Sequence, residues 1–199
     1  WKDDPDMIGD VMRFLDNVLS DFINKAPEQF KDAKYSAERE RSVGLGVMGF
    51  HSFLQKKRIP LESVMAKSWN KKIFKNIHEK VNQASKDLAE ERGACPDAAE
   101  YGFKERFSNK TAIAPTASIS IICGGASPGV EPIAANSYTH KTLSGSFNVR
   151  NRYLEEILES HGKNDDETWS TITTNQGSVS HLDFLTDLEK DVFKTAFEL

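Results

Sequence analysis

Apolar residues recur at helical spacing from the start of the chain. Met7, Ile8, Val11, Met12, Phe14, Leu15, Val18, Leu19, Phe22 and Ile23 form one broad stripe, opened by Asp4-Pro5 and closed by Pro27. An acid followed by proline is a good helix start, so the pattern predicts a long helix with a wide buried face. Residues 28–41 are polar and charged, ending in Glu38-Arg39-Glu40-Arg41, and read as a solvated connection or helix surface. Phe50, Phe53 and Leu54 suggest a short helix. From about Glu62 a second long one carries Met65, Trp69, Ile73, Ile77, Val81, Ala84 and Leu88 inward, with Gly93 just past its last turn. Residues 137–143 alternate like a strand and lead into a Ser144-Gly145 turn. Residues 151–160 read as a helix with Tyr153, Leu154, Ile157 and Leu158 inward, and a polar helix follows at 167–173. Helices broken by short, widely spaced strands, each leading into a helix, read as α/β. A parallel sheet or part of a barrel is the natural architecture.

Composition narrows this picture. At 199 residues and 38% hydrophobic, the chain can bury a core, and a single domain over 1–199 is expected. The net charge of −4 is spread over interspersed acids and bases, which argues against a nucleic-acid or membrane surface. No apolar run reaches membrane-span length and no signal peptide is visible, so the chain reads as cytoplasmic. Cys95 and Cys123 are too few for a disulfide framework, and the five scattered histidines make no ligand pair, so no metal site is expected. The start at Trp1 and the stop within the helical pattern of Leu188, Val192, Phe193 and Ala196 read as truncation at both ends.

Gly44-Leu45-Gly46-Val47-Met48-Gly49 matches a dinucleotide fingerprint in letters only. Such a loop needs a strand before it, and only Ser42 and Val43 separate this one from a charge run. The better reading is a tightly packed short strand through Val43, Leu45 and Val47, turning into the helix of Phe50.

The stretch Lys110 to Gly125 carries the chemistry. A β-capable run, Thr111 to Ala114, stops at Pro115, which cannot donate to a ladder. Thr116, Ala117 and Ser118 are small and two bear hydroxyls; Ile119-Ser120-Ile121-Ile122 follows as a helix expected to be buried. A helix starting there leaves backbone N–H groups free, and with the dipole and hydroxyls they suit a phosphate. The competing reading is that Thr116 or Ser118 merely caps a helix.

Pro115-Thr116-Ala117-Ser118, Gly129-Val130-Glu131-Pro132, Tyr138-Thr139-His140-Lys141 and Leu143-Ser144-Gly145-Ser146-Phe147 resemble the large, catalytic subunit of class I ribonucleotide reductase. Upstream, Arg41-Ser42-Val43-Gly44-Leu45-Gly46-Val47 and Arg92-Gly93-Ala94-Cys95-Pro96 resemble that family in the same order. The resemblance implies part of a ten-stranded α/β barrel, its second half-barrel, helix-rich with short parallel strands. It implies that Pro115, Thr116, Ala117, Ser118 and Ile119 hold the diphosphate of a ribonucleoside diphosphate substrate. It further implies a radical supplied by a metal-containing small subunit, a thioredoxin- or glutaredoxin-type reductant, and a homodimer of the full-length large subunit. ATP and deoxynucleotide effectors would bind elsewhere.

The chemistry so implied replaces the ribose 2′-hydroxyl by hydrogen, using a thiyl-radical cysteine and a redox cysteine pair. Cys95 and Cys123 match none of these, so no catalytic residue is assigned and the fragment alone is expected to be inactive. Two alternatives stay open: a cobalamin-dependent reductase of the same superfamily, and a non-catalytic phosphate-binding α/β module. Leu143-Ser144-Gly145-Ser146-Phe147 favours class I.

Overall fold

The computed structural model describes residues 4–142 and 145–199. They divide into two compact units, Trp1–Gly46 with Asn70–Ala114 and Val47–Trp69 with Pro115–Leu199. The chain thus leaves the second unit within a long helix and re-enters it at Pro115.

The first unit is built on α1 (Met7–Lys25), a 3₁₀ turn (Glu28–Phe30), α2 (Lys31–Glu40), the greater part of α4 (Val64–Arg92) and α5 (Pro96–Glu100). The start of α1 differs from the expected Asp4 N-cap. Asp6 takes that position, and the Asp4 carboxylate instead accepts the N–H groups of Asp6 and Met7 at 3.2 and 3.0 Å. The expected broad buried face is also halved. Ile8, Met12 and Asp16 are buried, whereas Met7, Val11, Phe14, Val18 and Phe22 are exposed. The stripe spans two adjacent helix faces, and the core of Val81, Ala84, Leu88 and Phe107 covers only one. The charge run departs in one residue: Arg41 is buried, its guanidinium 2.7 Å from Asp16.

The glycine motif is structural, as its context predicts. Leu45 bridges Thr111 in parallel, with Val43 N–H to Asn109 O at 2.9 Å and Leu45 N–H to Lys110 O at 3.0 Å. A Cβ on Gly46 would stand 2.5 Å from the Ala112 carbonyl oxygen, and one on Gly44 2.8 Å from the Ala112 Cβ. Close approach of two backbones accounts for both glycines.

The second unit contains α3 (Phe50–Lys56), α6 (Ala117–Ile122), β1 (Ser137–Thr142), β2 (Gly145–Arg150), α7 (Arg152–Ser160), α8 (Asp166–Thr174) and α9 (Asp187–Val192). Its core joins Leu154, Leu158, Trp169, Ile172, Val179 and Phe193, each nearly or fully buried and contributing about 1.5–3 kcal/mol. The expected parallel strands followed by helices are not what this unit shows. Its β1 and β2 form an antiparallel pair, Ser137 opposite Arg150 and Thr142 opposite Gly145. Strands joined by so short a connection must run antiparallel, since a parallel pair needs a crossover of a dozen residues or more. Among the described residues the parallel element is the Leu45–Thr111 bridge, in the first unit. The architecture is therefore helix-rich, with a small two-stranded sheet. The turn expected at Ser144-Gly145 includes Ser144, which lies outside the described residues.

Candidate functional site

Helix α3 anchors the segment that carries Thr116. The Ser52 and Ser127 hydroxyls each accept the other residue's backbone N–H, at 2.8 and 3.1 Å, and Gly49 N–H donates to Ser127 O at 2.7 Å. On the same helix, buried His51, the residue before Ser52, accepts the Ile133 N–H on Nδ1 at 3.0 Å. Burial alone pushes the imidazole pKa down to about 4, so at neutral pH His51 is an uncharged acceptor. These bonds fix residues 127–133, and Gly129 N–H then donates to Thr116 Oγ1 at 2.8 Å.

Thr116 is left-handed, with φ +49° and ψ +28°, and precedes α6 as its N-cap without a side-chain capping bond. A β-branched residue there is strained, by about 1–3 kcal/mol. Ala117, Ser118 and Ile119 are the first three helical residues, and all are exposed. Their N–H groups find no acceptor among the described residues; the first bond of the helix is Ser120 N–H to Thr116 O, 2.9 Å. Pro115 is exposed too, and the Ser118 hydroxyl has no partner among the described residues. The expected burial of α6 does not hold. Ser120 is its one buried residue, and Ile119, Ile121 and Ile122 are 55%, 46% and 83% exposed. A helix of one and a half turns that rests on Ser120 leaves its isoleucines outward.

Residues 115–119 contain no carboxylate, imidazole, amine or thiol, so this loop supplies no group suited to moving a proton. Cys95 is fully buried in the first unit and Cys123 is exposed in the second.

Two polar constellations escape a reading of the sequence. In the first unit, Asp16 receives hydrogen bonds from Arg41, Arg92 and Arg106 at 2.7–2.9 Å. Asp16 interrupts the apolar stripe between Met12 and Leu19, a signal that could have marked it. In the second, Asn151 Nδ2 donates to Gln55 Oε1 at 3.0 Å and to Asn136 Oδ1 at 2.8 Å, and Asn136 Nδ2 reaches the Gly177 and Phe193 carbonyls.

A family model described as "Ribonucleotide reductase, barrel domain" matches residues 2–105 and 97–199. The chain belongs to that family. It is 48% identical, over its whole length and 21% of the relative's, to the protein of Invertebrate iridescent virus 6 named ribonucleoside-diphosphate reductase large subunit. A protein of Thermoplasma acidophilum named vitamin B12-dependent ribonucleoside-diphosphate reductase is 35% identical over 94% of this chain and 24% of its own. Among solved structures, the Actinobacillus ureae class Id ribonucleotide reductase alpha subunit superposes with a TM-score of 0.87. It is 40% identical over 98% of this chain and 35% of that one. The chain therefore spans between a fifth and about a third of the length of these relatives.

Proposed function

We propose that this chain is part of the barrel domain of a class I ribonucleoside-diphosphate reductase large subunit, and that Pro115 to Ile119 cradle the substrate diphosphate. The observation that carries the reading is the chain-long match to large subunits, at 48% identity, against 35% for the vitamin B12-dependent relative. The whole of 1–199 then belongs to one catalytic domain whose complete form is a ten-stranded barrel. The loop geometry supports the site. The N–H groups of Ala117, Ser118 and Ile119 find no acceptor among the described residues, and they open a helix of exposed, mostly small residues that an anion can approach closely.

In this role the loop positions the substrate and offsets its charge; it breaks no bond. The Ser118 hydroxyl is free to donate to a phosphate oxygen, while Thr116 Oγ1 already accepts from Gly129 and keeps its own proton to give. Radical generation belongs to a metal-containing small subunit, re-reduction to a thioredoxin- or glutaredoxin-type partner, and effector binding to other parts of a homodimeric large subunit.

The test is substitution in the complete enzyme. Ser118→Ala removes one donor to a charged acceptor and should weaken diphosphate binding by about 1.5–3 kcal/mol, read as a raised KM. Ala117→Asp adds bulk and a negative charge, and the loss should be far larger. Unchanged KM and kcat/KM in both variants would overturn the phosphate reading.

A further inference from the structure

Thr116 departs twice from the habit of a helix N-cap. Such a residue is ordinarily extended, and its side-chain oxygen accepts the N–H of the second or third helical residue. Thr116 is left-handed and makes no capping bond. Its Oγ1 instead accepts the N–H of Gly129 at 2.8 Å, across 13 residues of sequence. The oxygen suited to cap Ser118 or Ile119 is turned to another segment, and those two N–H groups find no acceptor among the described residues.

Gly129 is held on both sides by α3. It is buried, and its φ of +49° is one that glycine adopts at little cost. Just before it, Ser127 is 1% exposed and tied through its hydroxyl, N–H and carbonyl to Ser52 and Gly49. Just after it, the Ile133 N–H is bound to His51. A short segment pinned at both ends to one helix gives the Gly129 N–H a fixed direction. Released from it, Thr116 is free to relax to the extended backbone that a β-branched residue favours and to cap α6 with its own oxygen. That cap would compete with an anion for the same N–H groups.

We propose that Gly129 is a positioning residue for the substrate diphosphate, with Ser127 and Ser52 as its support. By holding the Thr116 oxygen away from α6, it keeps the Ser118 and Ile119 N–H groups open to the ligand. This role rests on the phosphate reading and adds to it residues that set affinity without touching the anion. Gly129, Ser127 and Ser52 are buried and uncharged, so their influence on an anion passes through Thr116.

The test is a mutant cycle in the complete enzyme, reading KM and kcat for a ribonucleoside diphosphate. Gly129→Ala places a Cβ where φ is positive and should draw the N–H off Thr116. KM is expected to rise about tenfold, with kcat changed by less than about twofold. Thr116→Val leaves no oxygen to divert, so adding Gly129→Ala to it should alter KM by less than about twofold. Thr116→Ser keeps the oxygen and should restore the full response to Gly129→Ala. Should Gly129→Ala fail to fold, Ser127→Ala loosens the same segment and should show the same dependence on the Thr116 oxygen. Ser118→Ala, measured alongside, tests the phosphate loop itself. A raised KM in Ser118→Ala, together with equal effects of Gly129→Ala with and without Thr116→Val, would overturn the positioning role and leave the loop standing. Unchanged KM in both Ser118→Ala and Gly129→Ala would overturn both.

Discussion

Asp16 shows how much one residue organises. It is fully buried on α1, and Arg41 from the end of α2, Arg92 from the end of α4 and Arg106 all donate to its two oxygens. Burial alone would raise its pKa; hydrogen bonds from Arg106, Arg92 and Arg41 outweigh that and hold it below the ordinary carboxylate value. The folded state therefore binds the proton less tightly than the unfolded one. The resulting stability is present above the unfolded value of about 4 and is lost as pH falls below it. Asp16→Asn removes the charge but keeps the shape, leaving three guanidinium groups facing a neutral amide. The expected cost is about 3–5 kcal/mol in urea unfolding of the first unit. Asp21→Asn, whose partner Lys25 is one exposed turn away, should cost under about 0.5 kcal/mol. Equal midpoints for the two variants would show that the cluster contributes nothing beyond a surface pair.

At the scale of the element, α3 is the anchor, and its His51 makes the second unit sensitive to pH. Its folded pKa, about 4, lies below the unfolded value near 6.5, so the unfolded chain takes up the proton first on acidification. Stability is intact above the unfolded pKa and declines as pH falls from 6.5 toward 4. At roughly 1.4 kcal/mol per unit, about 2 kcal/mol should be gone by about pH 5, and His51→Gln should flatten that slope. A profile level from about pH 7.5 to pH 5 in the parent protein would contradict this assignment. How far such elements are legible from sequence depends on whether local signals agree. The helix at α7 was readable because its apolar phase and its cap coincide: Asn151 accepts Tyr153 N–H, and Leu154, Ile157 and Leu158 are buried. The faces of α1 and α6 were not, because periodicity shows that a face is apolar and not whether anything covers it. Strand β2, largely exposed along its length, lacks the half-buried alternation that betrays β-structure. In the candidate site, the proline stop and the small residues located the loop. The left-handed Thr116 was invisible, since a β-branched residue argues against that conformation until the Gly129 bond is seen. The Gln55–Asn151 contact, 96 residues apart in sequence, exists only once the chain has folded.

For the whole molecule, the question is what the chain can do by itself. The chemistry implied by its family requires three cysteines in defined roles, one carrying the radical and two exchanging electrons with the reductant. Only two are present in the 199 residues, Cys95 and Cys123. Cys95 is fully buried, its N–H bonded to Glu105 O at 3.0 Å, and it cannot meet an external reductant without local opening. Cys123 is exposed but stands alone at the end of α6, and the two thiols belong to different compact units. A positioning loop without the groups that break the bond retains binding and loses turnover, because orientation accelerates only a reaction whose reacting groups are there. The 199-residue chain, supplied with a radical-generating small subunit and a dithiol reductant, should therefore form no deoxynucleotide above the enzyme-free background in a radiolabelled diphosphate assay. Product that appears with this chain and vanishes in Cys123→Ser would assign that thiol a catalytic role and reverse the conclusion.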